Sequence, residues 1–148
     1  MQSPDSIRVL LKVRGQTEEI EERRLAVILK KLELAQAELA NASKELKGIT
    51  ATRFTEIHSI LPGTHHQAVE VHSRFLWRRC TDHEQEIERL KELYAQQMLV
   101  YLSAHRAREV MESLNQQRMD ARTAERQLRE RKLNEDLFLA RRVAKQDT

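Results

Sequence analysis

Eight apolar residues recur at alternating intervals of three and four residues along one stretch of the chain. They are Leu25, Ile28, Leu32, Ala35, Leu39, Ala42, Leu46 and Ile49. This is the spacing of the a and d positions of a heptad repeat, and it predicts a long helix whose narrow apolar stripe packs on another helix. Since a helix pair has few concave sites, the pattern favours docking or mechanical coupling over catalysis.

The composition agrees with a coiled coil and predicts one domain over residues 1–148. The chain has only 3 Gly and 2 Pro, 4% aromatic residues and 33% charged residues. A compact globule of this length has more aromatic and turn residues. The net charge of +3 comes from interspersed signs, which disfavours a nucleic-acid partner.

One cysteine and the absence of a long apolar run predict a cytoplasmic location. Cys80 is the single cysteine, so no internal disulfide forms, and this fits a reducing compartment. No apolar segment reaches the ~20 residues that span a bilayer. We therefore expect no membrane span, although the chain can lie on a membrane-bound partner.

One strong helix break divides the chain. The sequence Leu61-Pro62-Gly63-Thr64 combines a proline with a glycine and a potential helix cap. It predicts a first helix over about residues 5–60, a turn at 61–64 and a second helix over about 65–145. The second helix is expected to fold back on the first.

A turn centred near residues 62–63 brings a second apolar series opposite the first. It places Leu39 opposite Ile87, and the flanking Glu18, Glu19 and Glu22 opposite His105, Arg106 and Arg108. Such flanking charges set register and orientation. The fold class is therefore predicted to be all-α, an antiparallel two-helix coiled-coil hairpin, monomeric when free. Its seam is predicted to contain Leu25, Ile28, Leu32, Leu39, Leu46, Ile87, Leu90, Tyr94, Met98 and Tyr101.

The second helix is longer than the first, so a C-terminal helical overhang from about residue 122 has no partner within the chain. An apolar stripe with Leu133, Leu137 and the adjacent Phe138 predicts that another protein covers it. Basic residues accompany it, at Arg118, Arg122, Arg126, Arg129 and Arg141. Two interpretations stay open for these arginines: a solvated helix face balanced by nearby acids, or a basic stripe that enters an acidic partner. DNA binding is disfavoured because the basic arm of a leucine-zipper protein precedes its paired region, whereas these arginines follow the paired region.

The densest aromatic cluster opens the second helix. Phe75, Leu76 and Trp77 are consecutive, so they cannot all face the seam, and at least one is expected to be exposed. An exposed aromatic residue near the turn is a candidate docking anchor. The alternative is that Phe75 and Leu76 cap the coiled coil while Trp77 lies along its flank.

Neither catalysis nor metal binding is predicted. The three glycines are far apart, so there is no phosphate-binding loop, and no nucleophile stands in a recognisable motif. His72, Cys80 and His83 lie near one face of the second helix, but one cysteine without a second ligand pair is not a typical zinc site. We predict no catalytic residue, no cofactor and no metal.

The segments VHSRFLWRRC (71–80) and TAERQLRERKLNEDLFLARR (123–142), together with the hairpin pattern, resemble the FliJ-like family. These are stalk proteins of flagellar protein export, related to the stalks of type III secretion injectisomes. In the tail, Arg131, Leu133, Glu135 and Arg141 match the family pattern, and Asn134 stands where the family often has Asp.

The resemblance implies a non-enzymatic stalk that enters the ring of the hexameric export ATPase, promotes its assembly and activity, and contacts the inner-membrane export gate protein. Export chaperones are further implied partners. The overhang and its arginines then form the ring-entering end, and Phe75, with Trp77 beside it, is the candidate gate contact. The next positions on that face, Arg79 and Asp82, are charged, which departs from the family. The alternatives are an injectisome stalk homologue and a coiled-coil scaffold or adaptor, dimeric through the same seam.

Overall fold

The computed structural model describes residues 4–56 and 63–147, and these residues form two α-helices. Helix α1 extends over Pro4–Glu56 and helix α2 over Gly63–Gln146. The two helices pack against each other, and no strand occurs in either described range. The predicted all-α fold of two paired helices is therefore confirmed.

The helix ends follow from the local sequence. Proline is favourable at the first position of a helix, and Asp5 in the first turn of α1 complements the helix dipole. Lys145 in the last turn of α2 complements the negative C-terminal end of the dipole of that helix. Of the predicted turn, residues 61–62 lie outside the described residues, as do residues 57–60 of the predicted first helix. Gly63 and Thr64 belong to α2 rather than to a turn.

The chain divides into two compact units, and each contains a part of both helices. The central unit is Glu19–Leu102, and the terminal unit contains the described residues up to Glu18 and from Ser103 onward. The single domain over residues 1–148 stays a prediction.

The core of the central unit is a narrow seam between the helices. One cluster joins Leu32 and Ala35 of α1 to Ile87 and Leu90 of α2, with Leu39 packed against it. Complete burial of one such leucine is worth about 1.5–3 kcal/mol, so this seam is the main stabilising element of the unit. Other predicted seam residues of this unit are half-buried: Leu25, Ile28, Leu46, Tyr94, Met98 and Tyr101.

The helices of the central unit are antiparallel, and Leu39 packs against the cluster that contains Ile87, as the expected register requires. Glu45 lies 3.4 Å from His72, and Glu21 accepts a hydrogen bond from Gln97. A turn centred at residues 62–63 would place the partners of Glu45 and Glu21 two turns or more later in α2, so these two polar contacts depart from the expected register.

The terminal unit contains a short paired region followed by a long exposed segment. Ile7 of α1 is buried and lines a shallow depression with Leu114 and Arg118 of α2. Glu18 contacts His105 and Arg108, so the helices are antiparallel here also. From Met119 to Asp147 every residue is exposed, as expected for an overhang.

Candidate protein-interaction surfaces

The overhang presents both kinds of side chain that were predicted to contact a partner. Arg122, Arg126 and Arg141 are exposed, as is Arg129, whose guanidinium lies 2.8 Å from the Glu125 carboxylate one turn away. An exposed pair at this spacing contributes little to stability. Arg129 is therefore partly balanced by its own helix, in keeping with the solvated-face interpretation at that one position.

Arg118 differs from the other arginines of the series. Its side chain is half-buried and lines the depression that contains Ile7, together with Leu114, Gln117 and Ala121. The aliphatic part of an arginine covers apolar surface while its guanidinium stays in water. The structure therefore separates Arg118, which packs in the paired region, from the freely exposed arginines of the overhang.

The apolar residues of the overhang are exposed in a group. Leu133, Leu137 and Phe138 each expose about half or more of their surface, and so do Leu128, Leu139 and Val143. Phe138 and Leu139 line a shallow depression with Asn134 and Glu135. Large apolar side chains grouped in this way on one helical segment mark a protein-interaction surface.

The three consecutive residues Phe75, Leu76 and Trp77 differ in burial, because neighbouring side chains on a helix point in different directions. Leu76 is 1% exposed and lies in the seam, while Phe75 and Trp77 are 57% and 64% exposed. Phe75 stacks on the His72 ring with centroids 6.5 Å apart, and Trp77 lies beside Leu46 of α1. Phe75 is thus not a cap of the coiled coil, and both aromatic residues are available to a partner.

Charged side chains follow Phe75 along its face of α2. Arg79 and Asp82 are both exposed, one and two turns after Phe75. An apolar contact surface centred on Phe75 therefore ends within one turn, and the adjacent apolar surface is Val71 and Ala68 on the two preceding turns.

Polar side chains occupy part of the seam in the terminal unit. Glu18 is buried, its Oε1 lies 2.7 Å from Nδ1 of His105, and its Oε2 accepts a hydrogen bond from Arg108. The hydrogen bond from His105 is the main reason that the pKa of Glu18 is lowered, and Arg108 adds to it. The same bond raises the pKa of His105, with a further contribution from the charge of Glu109.

A second buried carboxylate lies in the central unit. Glu21 receives the Gln97 amide on its Oε2 at 2.5 Å and on its backbone carbonyl at 3.2 Å, and Arg24 lies 3.0 Å from its Oε1. A buried carboxylate is tolerated when its lone pairs are satisfied in this way. The predicted flanking acids Glu19 and Glu22 are exposed instead.

The predicted pairing of Glu18 with His105 and Arg108 is observed, but its place in the seam was missed because only apolar residues were followed there. Glu18 and Glu21 continue the alternation of three and four below Leu25, and His83 and Gln97 do so in α2. His83 is half-buried with Nδ1 3.6 Å from Glu38, and its Nε2 has no hydrogen-bond partner among the described residues. The spacing alone, read without regard to polarity, would have found all four.

The described residues do not assemble the metal ligands considered above. Cys80 is buried in the seam, whereas His72 and His83 are directed to Glu45 and Glu38. Within residues 4–56 and 63–147, no group of three or more His, Cys, Asp or Glu residues is arranged to hold a metal ion. Neither described helix has a segment long and apolar enough to cross a membrane.

These features define an all-α protein of two long paired helices that expose arginine, leucine and aromatic side chains. Comparison with family models identifies the family: the model described as Flagellar FliJ protein matches residues 3–147, nearly the whole chain. The chain belongs to this family and is a component related to flagellar protein export. The family is a non-enzymatic one. No curated protein and no solved structure matches the chain.

Proposed function

We propose that this protein is a stalk of the flagellar export apparatus that inserts its overhang into the ring of the hexameric export ATPase and promotes ring assembly and activity. The observation that carries the proposal is the complete exposure of residues 119–147 in a chain of the FliJ family. An exposed helical segment rich in leucine needs a partner to bury its apolar side chains.

The arginines of the overhang supply the charge contacts of this proposed interface. Arg122, Arg126 and Arg129 follow one another at intervals of four and three residues, so they share one side of α2. Arginine forms bidentate hydrogen bonds with carboxylates and is enriched at interface hot spots. Leu133, Leu137 and Phe138, with Arg141 beyond them, form the apolar part of the same surface. Arg118 contributes packing next to Ile7 rather than a direct ring contact.

The second proposed contact is with the inner-membrane export gate, through Phe75 and Trp77. Their exposure supports this, while Arg79 and Asp82 restrict the apolar surface to the two turns that end at Phe75. The protein then works in the cytoplasm, peripheral to the inner membrane at the flagellar base. Export chaperones are further proposed partners, and an adaptor role outside export is the alternative.

The ring contact is tested by reversing the charge of Arg122, Arg126 and Arg129 to Glu and measuring the rate of the cognate export ATPase against added protein. We expect stimulation and hexamer formation to be lost, because three attractive contacts become repulsive. A matched control changes the exposed residues Lys30, Arg78 and Arg106 to Glu, which alters the net charge equally and is expected to leave stimulation intact. Unchanged stimulation by the overhang variant would overturn the role of this stripe.

A further inference from the structure

A shallow apolar groove lies along one edge of the helix pair in the central unit. Ile20, Val27 and Ile28 of α1 form its apolar wall, and Gln97 of α2 closes it. Ile20 is 48% and Val27 54% exposed, so both carry apolar surface that neither helix covers. The Gln97 amide is fixed by its two hydrogen bonds to Glu21, which makes the opposite wall rigid.

The exposed apolar residues of this edge repeat every seven positions. Ile20, Val27 and Leu34 each stand immediately before a seam residue of α1. In a coiled coil, residues seven apart keep the same orientation to the partner helix. They therefore form one stripe parallel to the seam, the arrangement that receives a further helix in three-helix coiled coils.

Helix α2 contributes to the same edge. The pKa of Glu86 is lowered first by hydrogen bonds from Arg89 and also by the charge of Lys31, so residues 31 and 86 lie on one side of the helix pair. Leu93 and Val100 follow Glu86 at intervals of seven, and both are exposed. Val27 lies one turn before Lys31, so the apolar residues of the two helices border the same surface.

The charge around the groove determines what fits it. Arg23 and Arg24 line it, and the segment RRLAVILKK (23–31) contains four basic residues and no acidic one. The overhang of a second copy is a poor match, since residues 121–147 contain eight Arg and Lys against five Asp and Glu. We propose that this groove, formed by Ile20, Arg23, Arg24, Val27, Ile28 and Gln97, binds an acidic amphipathic helix of a partner protein.

The first test uses a labelled helical peptide as the probe. The peptide has about 21 residues, or three heptads, with leucine at its a and d positions and glutamate on both flanks. Fluorescence anisotropy with the full-length protein is compared with two other peptides, one with lysine flanks and one with the same acidic composition but scrambled leucines. We expect the acidic heptad peptide to bind at least about tenfold more tightly than either, which is about 1.4 kcal/mol. Equal binding of the acidic and scrambled peptides would overturn the proposal, because it indicates only non-specific charge attraction.

The second test locates the binding site. Ile20→Ser with Val27→Ser should weaken binding about tenfold or more, while Leu128→Ser with Val143→Ser, which changes equally exposed residues of the overhang, should not. Methyl NMR of the unaltered protein gives the same information without substitution, and peptide-induced shifts are expected at Ile20, Val27, Ile28 and Val100. Shifts confined to the overhang, or self-association abolished by the Ile20 and Val27 changes, would overturn the assignment. ATPase stimulation is measured on the same variants, so that failure of this inference is distinguished from failure of the ring role.

Discussion

Glu18 is a charged residue at a position where the heptad spacing calls for an apolar side chain. Its carboxylate is tolerated there because His105 and Arg108 of α2 both donate hydrogen bonds to it. Removing water from a carboxylate is costly unless its lone pairs are occupied, and ionised partners give the strongest hydrogen bonds. The cluster therefore favours one alignment of the helices in the terminal unit over alternatives that leave Glu18 without partners.

This cluster makes the stability of the protein depend on pH. The pKa of His105 is raised above its ordinary 6.5, so its contribution is complete below pH 6.5 and is lost as the pH rises through the raised value. The pKa of Glu18 is lowered below 4.5, so its contribution is present above pH 4.5 and is lost as the pH falls through the lowered value. The coupling between the two residues is therefore greatest between pH 4.5 and 6.5.

A double-mutant cycle with Glu18→Gln and His105→Gln measures this coupling. Urea unfolding followed by circular dichroism is expected to give a larger coupling free energy at about pH 5.5 than at about pH 8.5. Glu22 is exposed in the next turn of α1, so a parallel cycle with Glu22→Gln should give no coupling at either pH. A Glu18–His105 coupling that is equal at the two pH values would contradict the hydrogen-bonded ion pair.

At the scale of the helices, two glycines inside α1 reduce its stability without serving the fold. A Cβ atom added at Gly15 or Gly48 meets no atom within 4 Å, and neither glycine has a positive φ. Glycine in a helix interior costs about 0.5–1 kcal/mol relative to alanine, through backbone entropy.

We therefore expect Gly15→Ala and Gly48→Ala each to raise the free energy of unfolding by about 0.5–1 kcal/mol, and nearly additively because the sites are far apart. Urea unfolding at neutral pH measures this. Ala→Gly at Ala26, an exposed residue of the same helix, should have the opposite sign. A loss of stability from either alanine would show that the glycine position is used for a close contact.

The overhang is expected to add little to the stability of the paired helices. Because every residue from 119 to 147 is exposed, removing residues 122–148 should change Tm by less than about 2 °C. Removing residues 103–148 instead also deletes His105 and Arg108, and it should lower Tm because Glu18 loses its partners. Thermal unfolding of the two truncated chains makes the comparison, and an equal effect of both would indicate that the overhang packs on the protein.

The sequence determines the helices and their pairing more firmly than their register. Leu32, Ala35, Ile87 and Leu90 were recognisable because apolar residues at heptad spacing have few other uses. The pairing of Glu18 with His105 and Arg108 was also recognisable, from their opposite charges. Glu21, His83 and Gln97 were not, since a polar side chain in a seam depends on its partner, and Glu21 and Gln97 are 76 positions apart in the chain. The exposure of at least one of Phe75, Leu76 and Trp77 followed from helix geometry alone, but which of the three is buried depends on the register.

At the scale of the whole molecule, the pairing of the two helices within one chain predicts that the protein is a monomer. The apolar residues of α1 are covered by α2 of the same chain, as the cluster of Leu32 and Ala35 with Ile87 and Leu90 shows. A homodimeric scaffold would use the same residues between chains, and the single-chain pairing leaves them unavailable for this. We therefore expect a monomer of 17.4 kDa by sedimentation equilibrium, with a mass that does not change with concentration.

Covalent cross-linking distinguishes the pairing of α1 with α2 of the same chain from an exchange of helices between two chains. Glu45 and His72 lie 3.4 Å apart across the helix pair, so Glu45→Cys with His72→Cys, in a Cys80→Ser background, places two thiols within reach of a short bismaleimide. Dilute protein should give a product of monomer mass, because both thiols belong to one chain and their effective concentration exceeds that of any second molecule. Glu45→Cys with Arg89→Cys, which lies about 25 Å further along α2 than His72, should give no such internal product. Covalent dimers that form in preference to the internal link would instead indicate that α2 of one molecule covers α1 of another, the arrangement of a dimeric adaptor.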